Sequence, residues 1–269
     1  MDALYIVTVY VHIADHLPAI GYRDDPRCTI TAAEVLTVAV IAARYFHNHH
    51  ERALYVMVQR GDIPQVSVSR FNRRLHQLLG WLQRLLRHIG QPFQQHALYL
   101  IDAFPLPVCQ RVRQRRCRKV RGEAFVGRCE AKRTWFFGYK LHWCCTAAGV
   151  PVAFTLRPGR HHEGRAVSCL LAHLPRGTTV VGDGSYVSHR RAAFWHARGI
   201  RLIGKRYGRM SPNTPEELEL LAHRQRIETV HSQLECMGLQ HLRACTRSGF
   251  WLKVACSLLA VLFLHCLPN

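Results

Sequence analysis

The chain has 269 residues, 48% hydrophobic and 20% charged, enough apolar material for one large core or two smaller ones and too much for a disordered tail or a peptide module. Lys and Arg number 37 against 17 acids, a formal net charge of +20, which points to a polyanionic partner, nucleic acid first, ahead of an acidic metabolite. The 11 cysteines are odd in number and contain no C-x-x-C spacing, which argues against a disulfide framework or a zinc ribbon and for buried, reduced thiols in a reducing cytoplasm.

Residues 1–96 read as a helical segment. No basic leader or small-residue cleavage site precedes the apolar start MDALYIVTVYVHIADHL, so no signal peptide is expected. Thr31-Ala-Ala-Glu34 is a capping box ahead of VLTVAVIAARYF, and a second helix is predicted from Ser69 through FNRRLHQLLGWLQRLLRHIG. In it Phe71, Leu75, Leu78, Leu82, Leu85 and Ile89 recur at helical spacing, while Arg70, Arg73 and Arg74 stay largely outside that stripe. One face packs and the other is either a solvated cationic face or a DNA-binding one.

After Gln91-Pro92 the apolar period shortens to that of strands. These are predicted at 98–104, 134–147, 150–157, 178–183 and 200–206, with helices at 162–173, 188–198 and 215–236. The order gives a mixed five-stranded α/β sheet covered on both faces. The apolar run from Phe250 to Leu267 contains Lys253 and His265 and is read as a buried helix in preference to a membrane span. Residues 97–269 form the second expected domain. It carries the basic surplus, concentrated in RVRQRRCRKVR at 111–121. Arg111, Arg113, Arg115, Arg116, Arg118, Lys119 and Arg121 are therefore candidate DNA contacts, the alternative being a solvated charge run.

Against this background the acids stand out, since residues 97–269 contain only two aspartates, Asp102 and Asp183. Asp102 interrupts the apolar strand LYLIDAF and Asp183 ends TTVVGD. A carboxylate in such a strand is costly unless paired, hydrogen-bonded or bound to a metal. Two such groups from neighbouring strands can converge and offer hard oxygen ligands to Mg²⁺ or Mn²⁺. Glu228 is the choice for a third ligand, with Arg224 one helical turn earlier. Glu163, beside His161 and His162, and Glu235 are the rivals. Each acid has a plainer reading: Asp102 as a strand acid paired with an arginine, Asp183 as the start of a G-D-G turn, and Glu228 as a solvated helix charge.

The segments SRFNRRLH, LIDAFPLPVCQ, FFGYKLHWCCTAAGVPV, LPRGTTVVGDGSY, RQRIETVHSQL and TRSGFWLKVACSLL, in this order, resemble DDE transposases of bacterial insertion sequences, closest to the 982-type family. The resemblance implies a ribonuclease-H-like core with an all-helical N-terminal DNA-binding domain, and a nucleoid-associated bacterial enzyme. It gives Asp102, Asp183 and Glu228 the DDE roles, holding two Mg²⁺ or Mn²⁺ ions for phosphoryl transfer. Arg224 begins the R-x-x-x-E pattern, and Arg224 and Lys140 are candidate phosphate contacts. The implied function is cleavage at terminal inverted repeats and 3′-hydroxyl strand transfer into target DNA by a homodimer on double-stranded DNA, with no membrane or small-molecule substrate. The chain departs from the family pattern at Glu163, where relatives often carry aspartate after the histidine, and at Glu235, where many carry lysine. A domesticated non-catalytic DNA-binding protein and a non-transposing ribonuclease-H-like nuclease are the alternatives.

Overall fold

The computed structural model describes residues 2–95, 97–129, 132–206 and 211–266. Five helices come first: α1 (Ala3–Ala19), α2 (Ala32–Phe46), α3 (His50–Gln59), α4 (Val68–Gln77) and α5 (Leu79–Gly90). Then follow β1 (Leu98–Gln110), β2 (Val126–Cys129), β3 (Thr134–Thr146), β4 (Pro151–Pro158), α6 (Val167–Leu171), β5 (Thr178–Gly182), α7 (His189–His196) and β6 (Ile200–Gly204). Three helices end the chain, α8 (Pro215–Ala222), α9 (Gln225–Cys236) and α10 (Arg247–Cys266).

Two compact units emerge, one of residues 1–89 with 233–269 and one of residues 90–232. The first is helical. The capping box that opens α2 is formed, with Glu34 N–H donating to Thr31 Oγ1 at 3.2 Å and Thr31 N–H donating to Glu34 Oε2 at 2.6 Å. The helix expected from Ser69 to Gly90 is capped by Ser67 instead and divides at Leu78, whose N–H turns back to the Leu75 carbonyl. Gly80, a weak helix former, lies just beyond the division. Its predicted stripe, Phe71, Leu75, Leu78, Leu82, Leu85 and Ile89, is buried throughout.

The expected boundary at 96/97 assigned the C-terminal helices to the sheet domain, and here the structure differs. Helix α10 is long and apolar enough to cross a bilayer by length and composition, and it packs on α2 and α4. Phe250, Leu252 and the run Val254–Phe263 are buried. A helix apolar on nearly all sides must bury all sides, and the helical unit supplies the partners. Buried Asn48, at φ 63°, ties them together. Its Nδ2 donates to Met237 O and Ser257 Oγ, each at 3.0 Å, and its backbone carbonyl accepts from Lys253 Nζ at 2.7 Å. Asn48→Ala strands the buried acceptors and puts alanine in a left-handed conformation. It is expected to cost about 2–4 kcal/mol in urea unfolding.

The second unit is a mixed six-stranded sheet in the order β2-β3-β1-β5-β6, with β4 also paired to β3. β1 runs antiparallel to β3 and parallel to β5, and β5 is parallel to β6. The strand missed in the sequence is β2, at four residues too short to show an alternation. β1 also runs past its predicted end at 104 through Pro105 and Pro107, with a register shift between Pro107 and Cys109. Proline inside a strand reads as a stop, and the irregularity is how this sheet accommodates it. On one face, Tyr99, Ile101, Cys144, Val180 and Leu202 pack with Leu170 and Leu171 of α6 and Trp195 of α7. On α9, Ile227 and Val230 are buried, and His231 lies against Phe104 and Trp143, accepting from Trp143 Nε1 at 3.0 Å. The predicted helix at 215–236 is two helices, α8 and α9, separated at His223-Arg224.

Candidate active site

The parallel pairing of β1 with β5 matches Leu98 with Thr179, Tyr99 with Val180 and Leu100 with Val181. Continuing that register sets Asp102 beside Asp183, the residue after β5 ends at Gly182. Gly182 permits the approach, because a Cβ there would stand 2.7 Å from Ile101 Cγ1. Both carboxylates meet one guanidinium: Arg224 Nη2 lies 3.5 Å from Asp102 Oδ2 and Arg224 Nη1 lies 3.7 Å from Asp183 Oδ1. Two aspartates far apart in sequence thus converge where the parallel strands end, the position at which open α/β sheets place ligands.

A third acid joins them from the loop before α6. Glu163 accepts from Ser185 Oγ, which is also 3.4 Å from Asp183 Oδ2, and from Lys140 Nζ of β3 at 3.1 Å. Behind this row His142 and Tyr186 are fully buried, with the Tyr186 hydroxyl 2.8 Å from His142 Nδ1.

The electrostatics follow from burial and crowding. Burial pushes the Asp102 carboxyl up to about 6, and Glu163 and Asp183 push the same way. The Ala103 N–H at 2.8 Å and the Arg224 guanidinium oppose the shift without cancelling it. Desolvation lowers His142 to about 4, with Glu163 opposing. Tyr186 is held well above its ordinary value by burial and then by the three acids. At neutral pH the pair is therefore uncharged, joined by one hydrogen bond between the Tyr186 hydroxyl and His142 Nδ1. For Asp102, desolvation outweighs the Arg224 ion pair.

Glu228 does not join this group. It lies in the first turn of α9 with its side chain exposed, and makes no side-chain hydrogen bond or ion pair among the described residues. Nor do any three His, Cys, Asp or Glu side chains among those residues form a ready metal cage. The expected closed trio is thus reduced to a converging pair, because Arg224, four residues before Glu228, is the cation between the aspartates. Of the two rivals, Glu163 sits in the site. Glu235 is exposed, two turns beyond Glu228.

The expected DNA contacts divide similarly. Lys140 and Arg224 are engaged with acids, and Arg74 is ion-paired with Asp24. Arg70 and Arg73 are exposed on α4. The basic run includes a 3₁₀ segment, Arg111–Arg116, in place of the expected loop; Arg111, Arg113, Arg115, Arg116, Arg118 and Arg121 are exposed and Lys119 is half-buried. Ser185, Tyr186 and His142 were missed in the sequence. Their only trace is polarity in apolar surroundings: His142 inside FFGYKLHWCC and Ser185 two residues after Asp183.

Comparison with known proteins adds one match across this region. Residues 93–247 match the family model described as Transposase DDE domain. The chain is also similar to a solved structure described as the cryo-EM structure of piggyBac transposase synaptic complex with hairpin DNA, at 13% identity and a TM-score of 0.44, covering 96% of this chain and 72% of that one. No curated protein sequence matches the chain.

Proposed function

The chain belongs to the transposase DDE-domain family, and on that premise we propose that it cleaves DNA at the ends of an insertion sequence and joins the freed 3′-hydroxyl ends to target DNA. The observation that carries the reading is the convergence of Asp102 and Asp183 on Arg224 at the end of the parallel strands. The strand order, with antiparallel β3 and β4 on one side of β1 and parallel β5 and β6 on the other, supports a ribonuclease-H-like core.

The donor chemistry fits a hard divalent ion. Asp102 and Asp183 are oxygen donors, one within β1 and one just after β5, and burial, the first cause of the raised Asp102 pKa, disfavours a carboxylate that carries no bound cation. Asp102 and Asp183 would hold Mg²⁺ or Mn²⁺, and Glu228, four residues after Arg224 in the first turn of α9, is proposed as a further donor. Bound there, two such ions would activate the attacking oxygen and stabilise the leaving one. The protein's own groups do the rest. Arg224, on the same two carboxylates, is near enough to meet a phosphate drawn to the site. Glu163 fixes Lys140 and the Ser185 turn. The buried, neutral His142–Tyr186 pair gives the acids an uncharged backing that does not move with pH near neutrality.

Double-stranded DNA is the partner, with a homodimer expected because two ends are processed. The helical segment 1–96 is proposed to recognise the ends, through the exposed Arg70 and Arg73, and the 111–121 arginines to hold the backbone. Replacing Arg113, Arg115 and Arg116 together with Gln is expected to lower the slope of log K against log[salt] by about 0.9 per arginine. Filter-binding titrations over a salt series measure it. The test of the function is incubation of the full chain with duplexes carrying the inverted repeats that flank its coding region, plus a target plasmid. Metal-dependent nicking followed by joined products is expected. Nicking without joining would leave a non-transposing nuclease, and binding without nicking a non-catalytic DNA-binding protein.

A further inference from the structure

Beside the acidic site lies a second cleft, about 410 Å³ in volume, between β2, β3 and the turn after β4. Four of its lining residues are cations, Arg111, Arg128, Lys140 and Arg160, against one acid, Glu123. Gly127 and Gly159 also line it and pack closely, since a Cβ on Gly127 would stand 2.4 Å from the Phe136 ring and one on Gly159 would stand 3.0 Å from Gly127 Cα. At the mouth is Trp135, 53% exposed, with the Arg111 guanidinium 5.0 Å and the Arg128 guanidinium 5.9 Å from its ring centroid.

Phosphate binding accounts for the arginines, and cation–π contact holds Arg111 and Arg128 at the Trp135 ring, but neither needs the indole to stand half exposed at the cleft. A tryptophan among arginines, over a cavity in the size range of nucleotide-scale ligands, is instead the composition of a stacking platform. Indole and guanidinium planes both stack on bases, and the cations meet the attached phosphates. Lys140 links the cleft to the reaction site. It lines the cleft and pairs with Glu163 at 3.1 Å, and Trp135 and Lys140 lie five residues apart on β3, about 16 Å.

We propose that this cleft is a stacking subsite for an unpaired nucleobase of the DNA strand held at the active site, with Trp135 as the platform. It deepens the transposase reading and rests on it for the strand's identity. A base flanking the scissile phosphate, once out of the duplex, stacks on the Trp135 ring, while Arg128 and Arg160 neutralise its phosphates. The subsite then holds the strand end in place between cleavage and joining.

The test uses the full chain, without divalent ions, and two duplexes of one sequence: one blunt and one with a three-nucleotide overhang containing 2-aminopurine. The parent is expected to quench the 2-aminopurine and to bind the overhang duplex more tightly. Trp135→Ala is expected to abolish the quenching and weaken overhang binding by roughly 5- to 150-fold, as loss of one base–aromatic stack does, with blunt-duplex binding unchanged. Trp135→Phe, which keeps a ring at the site and guards against a folding defect in the alanine variant, is expected to fall between. Unchanged quenching and affinity in Trp135→Ala, or equal losses on both duplexes, would overturn the subsite. Because no metal is present, the outcome is separate from that of the nicking assay: a chain that stacks the base and never cleaves refutes the transposase reading alone.

Discussion

Asp102→Asn is expected to stop DNA nicking, by at least about 10³-fold, and at the same time to raise the melting temperature of the metal-free chain at neutral pH. The first effect is the loss of a charged oxygen donor where several kcal/mol of transition-state charge stabilisation is to be supplied. The second follows from the raised pKa, about 6 against an ordinary 3.8. Between those values the folded chain keeps a proton that the unfolded chain has released. Stability therefore falls as pH rises through the window from about 4 to 6 and stays lower above it. At 1.36 kcal/mol per unit the full penalty is on the order of 2–3 kcal/mol. Asparagine carries no charge and escapes it, at the cost of the ion pair with Arg224. Thermal melts of parent and variant from pH 4 to 8 should converge at the acid end and separate toward neutrality, the variant melting higher. Divalent ion added at pH 7.5 should raise the parent's melting temperature more than the variant's. A variant that melts lower than the parent at pH 7.5 and still nicks would remove Asp102 from the site.

Glu228→Gln and Glu163→Gln are expected to separate a third carboxylate ligand from a positioning acid. Glu228→Gln should match Asp102→Asn, with nicking down about 10³-fold. Its stability should be unchanged, because the side chain is exposed and unengaged among the described residues. Glu163→Gln should lose about 10- to 100-fold, the scale for groups that orient ligands. It should also shift the acid limb of the pH–rate profile downward, since removing a negative neighbour lets Asp102 ionise at lower pH. A structural role alone would not move that limb. The reverse ranking, with Glu228→Gln active and Glu163→Gln dead, would make Glu163 the third ligand. That result would agree with the contacts seen here, where Glu163 and not Glu228 reaches Asp183 through Ser185.

These two experiments test different kinds of inference. Asp102 and Asp183 were legible because a carboxylate in LYLIDAF or TTVVGD is an expensive exception to an otherwise apolar run, and such exceptions are visible without coordinates. Glu228 was chosen from its spacing to Arg224 and from family resemblance. Spacing along a helix says which residues share a face and nothing about which of them reaches across to a strand. The structure gives that reach to Arg224. Glu163 follows two histidines in a loop, and no local pattern announces that the loop returns to Ser185.

What the sequence determined by itself was local and periodic: the Thr31–Glu34 cap, the Phe71–Ile89 stripe, the change from helical to strand period after Pro92, and a basic surplus. Only the tertiary structure decided that α10 belongs with the N-terminal helices, that β1 continues through two prolines, and that Arg224 stands between the aspartates. The physical reason is the same in each case. Capping and periodicity act over one or two turns of chain, whereas burial, ion pairing and sheet register are contacts between residues tens to more than a hundred positions apart, and their energies exist only once the chain has closed on itself.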